Sequence, residues 1–449
     1  MNITVNKDFF KYSIRHFIKG KMNSGVILVF TAIIALIFAN SGLQEIYNSI
    51  LSKEVVFKIG DFSLFHAHGT NMNLLALIND ALMSIFFFSV GLEIKREVLV
   101  GELSSVRKAF LPIVAACGGM IVPVLFFLLI APPGEALKGA AIPMATDIAF
   151  SLGVLAILGK RVPLCLKIFL TAFAIVDDIG GIIVIAAFYT THLVPEYLFW
   201  SLPLIAILYI GGYFGVSSKM FYILIGSIVW YLFLNSGVHA TIAGVIVAFS
   251  VPARPRICLG TYVKDISNSL QRLPIHNADA NRILEDSELS VLKHIESTSD
   301  KAISPLQSME DNIRPLVNYI VMPVFAFANA GVSFSGFSLA AFQGLSSTIF
   351  LSLVFGKLIG IFSFTWLAVK TGLMKLPERM NFKSLFGVSM LGGIGFTVSL
   401  FIASLSYSDS AAGHILLDQA KIGILLGSTF AGLFGYFILK WALRTPKER

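Results

Sequence analysis

The stretch FAIVDDIGGI, residues 173–182, places two adjacent aspartates inside a long apolar run. Adjacent positions on a helix differ by about 100° in direction. Asp177 and Asp178 therefore cannot share one orientation, and one can face a cavity while the other reaches a neighbouring helix. Only 13% of the 449 residues are charged, against 56% apolar, where soluble domains carry about 25% charge. Mean hydropathy is +0.81. These values exclude an ordinary soluble enzyme, a disordered chain and a disulfide-stapled domain. Cys117, Cys165 and Cys258 suggest neither a disulfide framework nor a metal site. An all-α polytopic membrane protein remains.

A membrane span needs roughly 20 mostly apolar residues. Twelve are expected: 24–40, 73–92, 109–130, 139–158, 164–188, 197–214, 220–234, 238–251, 316–330, 343–369, 382–404 and 421–439. With the N-terminus inside, 29 of the 34 Lys and Arg residues fall in or beside inner segments. Lys53, Lys58, Lys138 and Lys421 fall outside, and Lys357 lies within span 10. This asymmetry predicts both termini on the cytoplasmic side. It also explains the net charge of +8 without invoking nucleic acid. The chain divides into spans 1–8 (1–251), a long inner segment (252–315) and spans 9–12 with a short tail (316–449).

Three segments outside the spans carry their own signals. Residues 1–22 are too polar and basic for a cleavable signal peptide. There Phe10, Ile14, Phe17 and Ile18 recur at helical spacing, which predicts an amphipathic helix on the membrane surface. VVFKIGDFSLF (55–65) alternates around Gly60-Asp61 and predicts an outer β-hairpin. A short hairpin is marginal alone, so it is expected to pair with another chain. In the inner segment, Ile283, Leu284, Leu289, Val291, Leu292 and Ile295 can give part of it an amphipathic helix; a solvated, partly disordered loop is the equal alternative.

Asp80, Asp147, Asp177, Asp178 and Lys357 sit deep in the spans. Each costs about 3 kcal/mol at the bilayer centre, and five unpaired would cost on the order of 15 kcal/mol. One lysine cannot neutralise four acids, so inert ion pairing does not account for the set. Such groups mark an ion or proton pathway. Adjacent carboxylates titrate as a coupled set, and carboxylates that trade protons for a cation are the physical basis of an antiport site. Asp147 follows Pro143 in GAAIPMATDIAF (139–150), and GVSMLGGIGFTVS (387–399) is rich in glycine. Spans 4 and 11 are thus expected to be interrupted. They lie in triplets of opposite topology, spans 3–5 and 10–12, the pattern of an inverted repeat with a mid-membrane site. Asp147 would offset positive half-helix ends and Lys357 negative ones. Gly423, Gly427, Ala431 and Gly435 are expected to serve packing.

Seven motifs run in order through spans 2–11: INDALMSIFFFSVGLEIKRE (78–97), PMATDIAF (143–150), AIVDDIGGI (174–182), GVHATIAGV (237–245), PVFAFANAGV (323–332), GKLIGI (356–361) and GGIGFTVSLFIA (392–403). Together they resemble the NhaA-type sodium/proton antiporters. That family exemplifies the inverted-repeat pattern. The resemblance implies a secondary transporter of the bacterial inner membrane that exports sodium or lithium against more than one proton. Neither an enzymatic reaction nor a cofactor is implied.

Residue by residue, the resemblance makes Asp178 the principal cation ligand. Asp177 becomes a second carboxylate that pairs with Lys357 in one state. Thr146 and Asp147 assist at the helix crossing, and Asp80 lines the pathway. Glu93, Lys95, Arg96 and Glu97 match a charged cytoplasmic funnel tied to pH response, to which His239 and Glu310 are also linked. The hairpin matches an outer homodimer contact. Two departures stand out: a longer inner segment before span 9, and Asp311 and Arg314 where some members carry histidine.

His66 and His68 make at most a weak metal pair. An organic-anion symporter on the same fold would want fewer buried acids. An intramembrane aspartyl protease would want its two aspartates on facing helices, sharing a proton, in a Gly-x-Gly-Asp context that is absent here. No phosphate-binding loop suggests an ATP-driven pump.

Overall fold

The computed structural model describes residues 24–56, 58–59, 62–63, 66–67, 70–190, 193–271, 285–333, 344–407 and 413–444. The expected surface helix around Phe10–Ile18 lies outside them, as does His68. Most of the remainder is helical, because backbone polar groups in lipid must be satisfied within the segment. Among the described residues, eight helices are long and apolar enough to cross a bilayer, and three bent pairs raise the number to as many as eleven. The expected span 8 is the ten-residue helix Thr241–Ser250, which is about 15 Å long and cannot cross a bilayer by itself. It packs on Met83–Val100, where Gly91 meets Ala248 and Gly244 meets the Ser84 carbonyl.

Two expected helix starts are corrected. The helix expected from residue 316 begins at Pro305 and runs, through a π-helical turn, to Ala330. Ser304 caps it by accepting a hydrogen bond from the Gln307 amide at 3.2 Å. Similarly, Gly413–Ala442 begins eight residues before 421. In both cases polar turns continue an apolar helix, which hydropathy alone ends too early. The described part of the inner segment is also more ordered than expected. It forms the helices Leu259–Gln271 and Asp286–Ala302, which pack on each other; Ile283 and Leu284 lie outside the described residues.

In the outer segment, Lys58–Ile59 pairs antiparallel with Phe62–Ser63, and His66–Ala67 with Thr70–Asn71. The expected turn residues Gly60 and Asp61, with Phe57, Leu64 and Phe65 of the expected hairpin, are outside the described set.

Two of the three bent pairs fall at the expected interruptions. Glu135–Met144 and Ile148–Ile157 meet at 45°, and Phe382–Leu391 and Phe396–Tyr407 at 43°. Leu164–Phe188, which carries Asp177 and Asp178, is continuous. π-helical turns, often found at functional sites, span Ile78–Leu82, which includes Asp80, and Ser352–Gly356, which leads into Lys357.

The helix bearing Lys357 is held by a close crossing with Val106–Ile130. A Cβ on Gly118 would strike the Gly360 carbonyl, and one on Gly360 the Gly118 carbonyl. Backbone cannot yield as a flexible side chain can. Gly360→Ala is therefore expected to lower stability by about 1–3 kcal/mol, read as a lower unfolding temperature of the detergent-solubilised protein.

Candidate functional site

The two breaks sit against each other. The Asp147 amide donates to the Ile394 carbonyl at 2.6 Å. Thr146 Oγ1 donates to the Gly392 carbonyl at 2.9 Å, and Ser151 Oγ to the Leu391 carbonyl at 3.1 Å. Ser399 Oγ donates to the Ile142 carbonyl at 2.8 Å. Broken helices leave backbone groups without intrahelical partners, and here each break supplies partners for the other.

The charges follow the polarity of the half-helices. Asp147 is 1% exposed. Its Oδ1 accepts from the Phe150 amide at 2.9 Å. Its Oδ2 accepts from the Thr397 amide at 3.2 Å and from Thr397 Oγ1 at 2.5 Å. One carboxylate thus caps two helix N-termini, the positive ends of the half-helix dipoles. Lys357 is 0% exposed. Its Nζ donates to the Met144 carbonyl, the C-terminal end of one half-helix, and to Thr146 Oγ1 at 2.9 Å. Thr146 relays to Gly392 in the other break. Positive ends converge on Asp147 and negative ends on the Lys357–Thr146 pair.

Lys357 also donates to Asp177 Oδ2 at 2.6 Å. Asp177 Oδ1 and Asp178 Oδ2 are buried without a hydrogen-bond partner among the described residues. Asp177 and Asp178 are 2% and 4% exposed. The structure thus brings Thr146, Asp147, Asp177, Asp178 and Lys357 into one buried constellation, with three acids to one base. The arrangement offers bare carboxylate oxygens beside a lysine that already holds the other oxygen of Asp177, a set suited to a hard cation or a proton.

The other residues singled out in the sequence fall into three separate places. Arg96 pairs with Glu97 at 2.9 Å and with Glu310 at 3.0 Å, and Arg314 also binds Glu310. Glu93 lies within electrostatic reach of this group. Lys95 stands apart from it, donating to the Phe249 and Val251 carbonyls at 2.6 and 2.5 Å. It satisfies the end of Thr241–Ser250 and stakes that short helix to its neighbour.

His239 is in neither group. Its Nε2 lies 3.8 Å from Asp80 Oδ1, and its Nδ1 lies 2.9 Å from Thr241 Oγ1. Both His239 and Asp80 line a cavity of about 1040 Å³, together with Asn79, Lys138, Tyr189 and Met144. This cavity reaches the residue whose carbonyl binds Lys357.

Sequence reasoning missed Thr397, Ser151 and Ser399. Their only signal was a hydroxyl within an apolar run, which in membranes commonly means a bond to another helix.

The family model described as Na+/H+ antiporter 1 matches residues 15–439. A Na(+)/H(+) antiporter NhaA of Bacteroides fragilis is 53% identical over 438 residues, 97% of this chain and 99% of the relative. That of Parabacteroides distasonis is 51% identical over 440 residues, 97% of both chains. That of Oleidesulfovibrio alaskensis is 43% identical over 438 residues, 96% of this chain and 94% of the relative.

Proposed function

The chain belongs to the Na+/H+ antiporter 1 family and is a secondary antiporter of sodium and protons rather than an enzyme; from that premise we propose a site and a cycle. Internal sodium or lithium binds at Asp178 with Asp177, helped by Thr146 and freed backbone carbonyls. External protons displace it. Asp147 holds the crossing together, and Lys357 pairs with Asp177 in the state seen here. The carrying observation is the buried, unpartnered Asp178 Oδ2 beside an Asp177 that Lys357 already engages. An inert structural acid would have its oxygens satisfied.

The cycle alternates access by rocking the broken-helix core within a twelve-span, inverted-repeat fold. The protein sits in the bacterial inner membrane with both termini and the segment 252–315 in the cytoplasm, serving sodium and pH homeostasis. The outer hairpin joins two copies. Asp80 lines the path from the cavity, and Glu93, Arg96, Glu97 and Glu310 tune the response to pH, as does His239 from the cavity side.

Exchange of more than one proton per sodium moves net positive charge with the protons. In proteoliposomes, an inside-negative potassium diffusion potential is expected to accelerate sodium efflux and an inside-positive one to slow it. Efflux indifferent to the potential would establish electroneutral exchange and overturn this stoichiometry. Running sodium, lithium, potassium and organic anions in the same vesicles separates the cation antiporter from a symporter on the same scaffold.

A further inference from the structure

The helix Leu259–Gln271 carries a surface that transport chemistry leaves unused. Leu259, Val263, Ile266 and Leu270 fall within about 60° of arc at 100° per residue. Leu259, Val263 and Leu270 are 73%, 59% and 54% exposed, although apolar side chains at this spacing mark a face that packs on something. The helix does pack on Asp286–Ala302, but through a neighbouring face. Tyr262 Oη lies 3.2 Å from Ser299 Oγ, and Ser269 is buried. Leu259, Val263 and Leu270 lie beside that contact and are left uncovered by it.

Position and charge identify what covers it. Eight residues separate Thr241–Ser250 from Leu259, at most about 32 Å of extended chain. The base of the helical pair is tied to the ends of two helices placed at the inner boundary. The Arg256 amide donates to the Lys301 carbonyl at 2.9 Å, and the Leu306 amide to the Pro252 carbonyl at 3.1 Å. Arg254, Arg256 and Lys264 are exposed around the stripe, against the single acid Asp265. The partner helix Asp286–Ala302 is of opposite balance, with Asp286, Glu288, Glu296 and Asp300 against Lys293 and Lys301. Apolar residues flanked by basic ones, beside the inner boundary, match a bilayer surface bearing anionic headgroups.

We propose that Leu259–Gln271 lies on the anionic inner surface of the membrane, with Leu259, Val263 and Leu270 in the acyl boundary and Arg254, Arg256 and Lys264 against lipid phosphates. Lys264 keeps its stem along the apolar surface and its ammonium in the headgroup layer. This rests on the cytoplasmic placement of 252–315 proposed above.

The test uses the full-length protein in nanodiscs, with Cys117, Cys165 and Cys258 replaced by serine and one new cysteine introduced. Val263→Cys reports the stripe and Asn268→Cys the opposite face; each is labelled with a polarity-sensitive fluorophore. In phosphatidylcholine–phosphatidylglycerol discs, quenching by doxyl-labelled lipid is expected to be about twofold or more stronger at 263 than at 268. It should weaken when Arg254, Arg256 and Lys264 are changed to Gln, and in phosphatidylcholine alone. Equal or absent lipid quenching at the two sites overturns the proposal. So does protection of 263 that persists in detergent, which would mean a covering protein segment. Quenching indifferent to the anionic lipid overturns the assignment of the basic residues. An impermeant thiol reagent applied to Asn268→Cys in sealed vesicles of known orientation reads the side separately, so a wrong topology and a wrong docking surface give different results.

Discussion

Asp178→Asn is expected to abolish sodium-dependent proton exchange in proteoliposomes while leaving the protein folded. The amide matches the carboxylate in size and fits the same buried volume. It cannot, however, carry the charge that a dehydrated cation needs or release the proton that displaces it. An ionic partner in a dry site contributes several kcal/mol, and each 1.4 kcal/mol is about tenfold in affinity. A fall of roughly two orders of magnitude or more follows. Stability should change little, because Asp178 Oδ2 makes no hydrogen bond to lose among the described residues. Unfolding temperature and elution profile, read beside the exchange assay, separate loss of function from loss of fold. Substantial exchange in a well-folded variant would sink the site assignment.

Asp147→Ala is expected to fail in the opposite way, through the scaffold. It removes the acceptor for Phe150 and both acceptor contacts for Thr397, which together cap two half-helices. Hydrogen bonds to a charged group contribute about 1.5–3 kcal/mol each, but their losses at one residue are not additive. A destabilisation on the order of 3 kcal/mol follows, with exchange lost alongside. Asp147→Asn tests the cause. Its remaining oxygen can still accept from the Phe150 amide, since Asn is a good N-cap, whereas its amide nitrogen cannot accept from Thr397. The asparagine variant should therefore unfold at a temperature between those of the native protein and the alanine variant. An alanine variant as stable as the native protein would show that the crossing does not depend on this cap.

The two variants separate what is legible in one dimension from what is not. Asp147, Asp177, Asp178 and Lys357 were visible as charges in apolar runs. The cost of placing a charge in lipid depends on the local hydropathy of the chain, so an expensive exception can be read without a fold. Pro143 and the glycines at 392, 393 and 395 likewise marked both breaks, because backbone hydrogen bonding is a local matter. Helix starts at Pro305 and Gly413 were misplaced for the same reason. Polar turns that prolong a helix into water carry no apolar signal.

Partnership was another matter. Lys357 lies 180 residues from Asp177, and Asp147 lies 250 from Thr397. His239 was grouped by resemblance with Glu93, Arg96, Glu97 and Glu310 as a pH-responsive residue, yet the structure sets it beside Asp80 on the cavity and the others around Arg96. The resemblance named Asp177 as the partner of Lys357, but nothing in FAIVDDIGGI itself says which aspartate meets the lysine, because about 100° of rotation becomes a direction only when neighbouring helices are in place. Burial of charge and the positions of the helix breaks are legible in one dimension, since each follows from local solvation and backbone hydrogen bonding. Tertiary packing is what puts Lys357 on Asp177 and leaves an Asp178 oxygen without a partner among the described residues. That choice is made by the crossing of distant helices, at Gly118 and Gly360 and at the two breaks, where close approach sets which groups can touch.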